Sequence, residues 1–141
     1  METTHKINQC VIALTGKEKA NLLFIGTASH DAEDYISAIH SEFESLRCVV
    51  KELSLTSEKY TDDEISIHPY AFCPHYNERA ESFDEMIKEK PFPGIALEEN
   101  VAFVEKNGSI GFISADDSSK AYVITLVDGK LEKKEQKVVA L

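Results

Sequence analysis

Asn21-Leu22-Leu23-Phe24-Ile25-Gly26-Thr27-Ala28-Ser29-His30-Asp31-Ala32-Glu33-Asp34-Tyr35 is the stretch on which the fold turns. Leu22 to Ile25 is an unbroken apolar run after a polar turn, which fits a strand buried on both faces, as in a parallel sheet. Thr27 to His30 reads as a loop. A helix follows from about Asp31, with Asp31, Glu33 and Asp34 in its first turn, where negative charge complements the helix dipole. Ile36, Ile39, Phe43 and Leu46 continue at helical spacing, and Cys48 to Leu55 reads as a second strand. Strand, helix and strand in this length predict a βαβ unit with a right-handed crossover.

Upstream, Ile7, Val11 and Leu14 are spaced as one face of a short helix over Lys6 to Leu14, with Gly16 suited to its end. Downstream, the pattern breaks. Thr61-x-x-Glu64 is a capping box that opens a helix. Yet Pro69 blocks helix continuation barely one turn later. A start signal with no helix after it predicts a missing segment near residues 65–68; the alternative is that Thr61 caps a short turn.

Tyr70 to Cys73 reads as a short strand and Glu78 to Lys88 as a helix, through Ala80, Phe83, Met86 and Ile87. Pro91-Phe92-Pro93-Gly94 breaks that helix, and Ile95 to Leu97 begins a run of strands. Asn107-Gly108 and Asp128-Gly129 each separate two strand-like runs and predict hairpins. The C-terminal third therefore reads as an antiparallel meander. The charged tail, Glu132 to Lys137, is expected to fray.

At 141 residues the chain is expected to be a single domain, 1–141, that buries about two-thirds of its unfolded surface. A net charge of −10, from 15 Lys+Arg and 25 Asp+Glu, argues against nucleic acid or an anionic membrane as partner. Three widely spaced cysteines, Cys10, Cys48 and Cys73, form no C-x-x-C, so reduced thiols in a cytoplasmic protein are expected. Met1 to His5 has no signal-peptide core, and no apolar run approaches transmembrane length.

Two blocks carry a resemblance. Asn21 to Tyr35 is one; Phe72-Cys73-Pro74-His75-Tyr76-Asn77 through Gly94-Ile95-Ala96-Leu97-Glu98-Glu99-Asn100, and on to Lys120-Ala121-Tyr122, is the other. Both resemble the S51 peptidases, which include peptidase E (an aspartyl dipeptidase) and cyanophycinase. The resemblance implies an α/β, three-layer fold: a shortened class I glutamine amidotransferase-like (flavodoxin-like) sheet with the C-terminal meander. It places His75 on the family's triad histidine, as general base taking the serine proton. Histidine suits that work because its pKa lies near the operating pH. Glu99 falls on the glutamate that would orient the histidine. Glu98 is its neighbour, and strand alternation would put the two on opposite faces, so that one alone could face His75.

The nucleophile is missing. The family's G-x-S-A-G turn needs glycine beside serine to make a tight strand-to-helix bend. The six glycines are Gly16, Gly26, Gly94, Gly108, Gly111 and Gly129, and none stands in a G-x-S-x-G frame. Ser109 belongs to a hairpin turn, and Ser66 has no glycine nearby. The Gly-rich loop that helps build the oxyanion hole is absent too, and the chain begins in what resembles the helix after the family's first strand. Triad members act as a unit, so a chain without the nucleophile keeps only residual catalysis.

The expectation is thus a catalytically inactive S51 relative that survives as a folded or binding module. The alternative is a hydrolase with a rebuilt site, using Cys73 with His75 on one strand face or groups of a partner chain. His68, Cys73 and His75, spaced H-x4-C-x-H, lack a fourth zinc ligand, so structural packing is the expectation. No cofactor is implied. Thr27, Ser29 and His30 lie where α/β proteins bind ligands and could contact a small peptide carboxylate, although capping the next helix is the favoured role. Loss of inner strands should leave unpaired edges, so a homodimer is expected. A smaller monomeric sheet, with Cys48 to Leu55 beside Tyr70 to Cys73, is the other way to close the gap.

Overall fold

The apolar stripe around Val11 winds into α1 (Glu2–Thr15), which ends at Gly16. The structure is a computed structural model that describes residues 2–26, 29, 31–53 and 69–141. Thr61 to Glu64, Ser66, His68, Thr27 and His30 lie outside those residues. The chain divides into two compact units, Asn8–Ser66 and Met1–Ile7 with Ile67–Leu141.

In the first unit β1 (Asn21–Ile25) pairs in parallel with β2 (Val49–Leu53), in register from Asn21 opposite Val49 to Ile25 opposite Leu53. Between them runs α2 (Glu33–Ser45), with Glu33 and Asp34 in its first turn. The expected βαβ unit is therefore present. Phe43 of α2 is buried with Ala20 and Cys48, and Ile12, Leu22, Ile39 and Val50 pack around them. Burial on both faces of β1 is not observed. Among the described residues the sheet has two strands, and Leu23, which alternates with Leu22, is 59% exposed. A pleat points successive side chains to opposite faces, and α1 and α2 cover one face here.

In the second unit β3 (Ala71–Cys73) lies parallel to β4 (Gly94–Leu97), which pairs antiparallel with β7 (Ala121–Val127), itself paired with β8 (Lys130–Glu135). The strand order is β3-β4-β7-β8. A second sheet, ordered β5-β6-β9, contains β5 (Val101–Lys106), β6 (Ser109–Ser114) and β9 (Val138–Ala140). Alternation gives β4 two jobs. Ala96 faces α3 (Tyr76–Lys88) with Cys73, Tyr76, Phe83, Ile87 and Ile124, whereas Ile95 is buried with Phe112 and Ala121 against the second sheet. This unit is thus helix on sheet on sheet. Gly94 is where α3 comes closest: a Cβ there would lie 2.8 Å from Ile87 Cδ1 and from Phe83 Cε1.

Both hairpins form as the sequence predicts. Asn107 and Gly108 have φ of 53° and 78°, Asp128 and Gly129 48° and 74°, and each pair makes the two-residue loop. Positive φ at both central residues matches the right-handed twist of the flanking strands. The single meander is corrected, however, because the hairpins belong to different sheets. The link between them turns on Asp116. Its carboxylate accepts bonds from the Ser118 and Ser119 backbone N–H groups at 2.9 and 2.7 Å and from Ser119 Oγ at 2.8 Å. The tail is also ordered rather than frayed. Pairing of β8 with β7 uses backbone groups that charged side chains leave intact, and Leu131 packs on the core. β9 pairs in parallel with β6, and the Leu141 N–H reaches the Ser114 carbonyl at 3.0 Å.

Candidate active site

β3 stops at Cys73 because Pro74 follows, and proline offers no N–H to continue the ladder. His75 then takes a left-handed conformation, φ 54° and ψ 44°, as the N-cap of α3. Its carbonyl accepts the Glu78 N–H at 3.0 Å, while its side chain makes no capping bond and stays free to project. A non-glycine residue held in this region is uncommon and carries some strain. Such strain gathers at functional sites.

Glu99 arrives from the neighbouring strand. β4 ends at Leu97, and the chain turns through Glu98 and Asn100, with Asn100 left-handed at φ 63°. Because β3 and β4 are parallel, His75 and Glu99 emerge from their shared carboxyl end, where sheets of this kind place ligands. His75 Nδ1 lies 3.5 Å from Glu99 Oε1, with both side chains about half exposed. That separation exceeds the ordinary N–H···O range of about 2.7–3.2 Å, so the pair is in contact without an ordinary hydrogen bond.

Glu98 is engaged elsewhere. Its Oε2 accepts the Lys120 N–H at 2.9 Å, its Oε1 lies 3.5 Å from the Tyr122 hydroxyl, and its own N–H donates to the Lys120 carbonyl at 3.0 Å. The two glutamates have separate partners, but they stand in a turn beyond the strand end, so strand alternation is not what separates them. Two bracing residues escaped the sequence reading. Asn100 Nδ2 donates to Asp116 Oδ2 at 3.0 Å, and the Ala115 N–H donates to the Asn100 carbonyl at 3.1 Å. The Ser119 hydroxyl, then the Ser118 and Ser119 N–H groups and the Asn100 amide, hold the Asp116 carboxyl far below the usual carboxylate range. An Asp two and three residues ahead of serines was the signal available for this turn.

Cys73 does not share a strand face with His75, because the strand ends between them. The thiol is 5% exposed, in the core with Tyr76, Phe83 and Ile87, and Sγ lies 3.6 Å from the Pro74 carbonyl. Burial pushes its pKa up, with a smaller lowering by Arg79 and a further rise from Asp84. An activated thiol needs the opposite shift. Among the described residues no Ser or Thr hydroxyl bonds His75, and no three His, Cys, Asp or Glu side chains are placed to hold a metal. Ser29 Oγ donates to the Gly26 carbonyl at 2.9 Å, closing the turn after β1, while Ala32 caps α2. No described helix is long and apolar enough to cross a membrane.

Behind His75, the Tyr76 hydroxyl donates to Asp84 Oδ1 at 2.9 Å. Lys133 of β8 pairs with Asp84 and sits 5.4 Å from the centre of the Tyr76 ring. This link fixes the first turn of α3 to the sheet.

A βαβ unit, and a second unit whose parallel strand pair carries a histidine and a carboxylate at its carboxyl end, define a mixed α/β protein. The sequence model of peptidase family S51 matches residues 1–68, a little under half of the chain. The match ends before His75 and Glu99. No curated protein and no solved structure matches the chain.

Proposed function

We propose that this is a peptidase E-like S51 protein that has lost peptide cleavage and persists as a binding module. One observation carries the reading. The family match runs to residue 68, His75 and Glu99 follow on one sheet end, and no G-x-S-x-G turn stands anywhere in the chain. A base and its carboxylate remain in contact while the group they would activate is missing. The fold is then a shortened flavodoxin-like frame forming a single domain, with its inner strands deleted near residues 65–68. The retained ligand class is a small peptide, met by the exposed imidazole and carboxylate, and the setting is cytoplasmic.

The buried, pKa-raised thiol of Cys73 weighs against the rebuilt Cys73–His75 enzyme. Fluorophosphonate and iodoacetamide labelling, read beside dipeptide hydrolysis, tests both readings. Stoichiometric modification of Cys73 or of a hydroxyl that abolishes turnover would establish the enzyme, and neither that modification nor turnover is expected.

The exposed Leu23 and Val49 on a two-stranded sheet support self-association as a homodimer. Sedimentation over a wide concentration range tests it: a dimer is expected, and a well-folded monomer at high micromolar concentration would refute it.

A further inference from the structure

His40, in α2, has a carboxylate at each ring nitrogen. Nδ1 lies 3.3 Å from Glu44 Oε1, one helical turn on, and Nε2 lies 3.0 Å from Glu52 Oε2, on β2. Ionised carboxylates only accept hydrogen bonds, and a neutral imidazole has one N–H to give. Both contacts can be hydrogen bonds at the same time only when the ring is the imidazolium. Among the described residues Glu44 from α2 and Glu52 from β2 are the ionisable groups that face it. From α1, Asn8 Nδ2 donates to Glu42 Oε1 at 3.1 Å.

We propose that His40 is a proton-operated clamp between α2 and β2: doubly protonated it bridges Glu44 and Glu52, and loss of one proton releases one carboxylate. The device lies within the βαβ unit and does not depend on the reading of His75. The bonds to Glu44 and then Glu52 raise the His40 pKa above 6.5. A histidine whose folded pKa is raised stabilises the fold fully below its unfolded pKa and loses that contribution as pH rises through the folded value. The βαβ unit is thus tighter in mild acid. Partial exposure of all three side chains keeps the effect small.

Titration of the His40 ring by NMR in the full chain tests the clamp. The expected midpoint lies above 6.5 and falls in Glu52→Gln, with both ring nitrogens protonated at pH 6.5. A midpoint at or below 6.5, or one that Glu52→Gln leaves unchanged, would overturn it. As an independent readout, the difference in urea midpoint between wild type and His40→Gln should shrink from pH 5.5 to 8.5. A pH-independent difference would overturn the clamp even if the ring titrates high.

Discussion

His75 Nδ1 and Glu99 Oε1 stand 3.5 Å apart at the carboxyl end of a parallel strand pair, each on a turn with left-handed backbone. Neither side chain is buried, so the contact contributes little to stability, on the order of 0–1 kcal/mol. What holds the pair is the backbone on either side: the Pro74–His75 entry into α3, and the Glu98–Asn100 turn tied to Asp116 and Lys120.

That backbone makes a prediction. His75 at φ 54° occupies a region that glycine tolerates and β-branched residues do not. His75→Gly should keep or raise the urea midpoint, while His75→Val should cost about 1–2 kcal/mol. Equal stability of the two variants would show that the turn does not hold this conformation.

Gly94 is predicted to be the least replaceable glycine of the second unit. A Cβ there would lie 2.8 Å from Ile87 and Phe83, both buried, so α3 would have to move off β4. Gly94→Ala should cost about 1–3 kcal/mol, the usual range for overpacking. Gly111→Ala, with nothing within 4 Å of the new methyl, is the near-neutral control. Both can be read from denaturant midpoints.

Cys73 should react slowly. Its burial raises the thiol pKa and blocks access, whereas Cys10 is partly exposed. A short iodoacetamide pulse on the native protein, read by mass spectrometry, should label Cys10 ahead of Cys73 and Cys48. Cys73 labelled first would revive the cysteine–histidine site.

The sequence was most legible where one residue type answers one local demand. Asn107-Gly108 and Asp128-Gly129 announce hairpins because their positive φ is a local property. The strand–helix–strand of Leu22 to Leu53 was equally plain. Burial was not, because Leu23 looks like a core residue until the number of neighbouring strands is known. The division of the hairpins between two sheets depends on the Asp116 turn, whose serine contacts no periodicity reveals. His75 and Glu99 entered through resemblance to a family rather than through spacing. Their 24-residue separation says nothing of contact until β3 and β4 are known to be parallel neighbours. Cys73 misled for a related reason: the i, i+2 rule holds within a strand, and Pro74 ends this one.

Hydrolysis of Asp-Xaa dipeptides by the purified full chain, beside His75→Ala, tests the central claim most directly. The account predicts no turnover above background in either protein, because no serine turn supplies a nucleophile to His75. Turnover by the wild type that disappears in His75→Ala would contradict it.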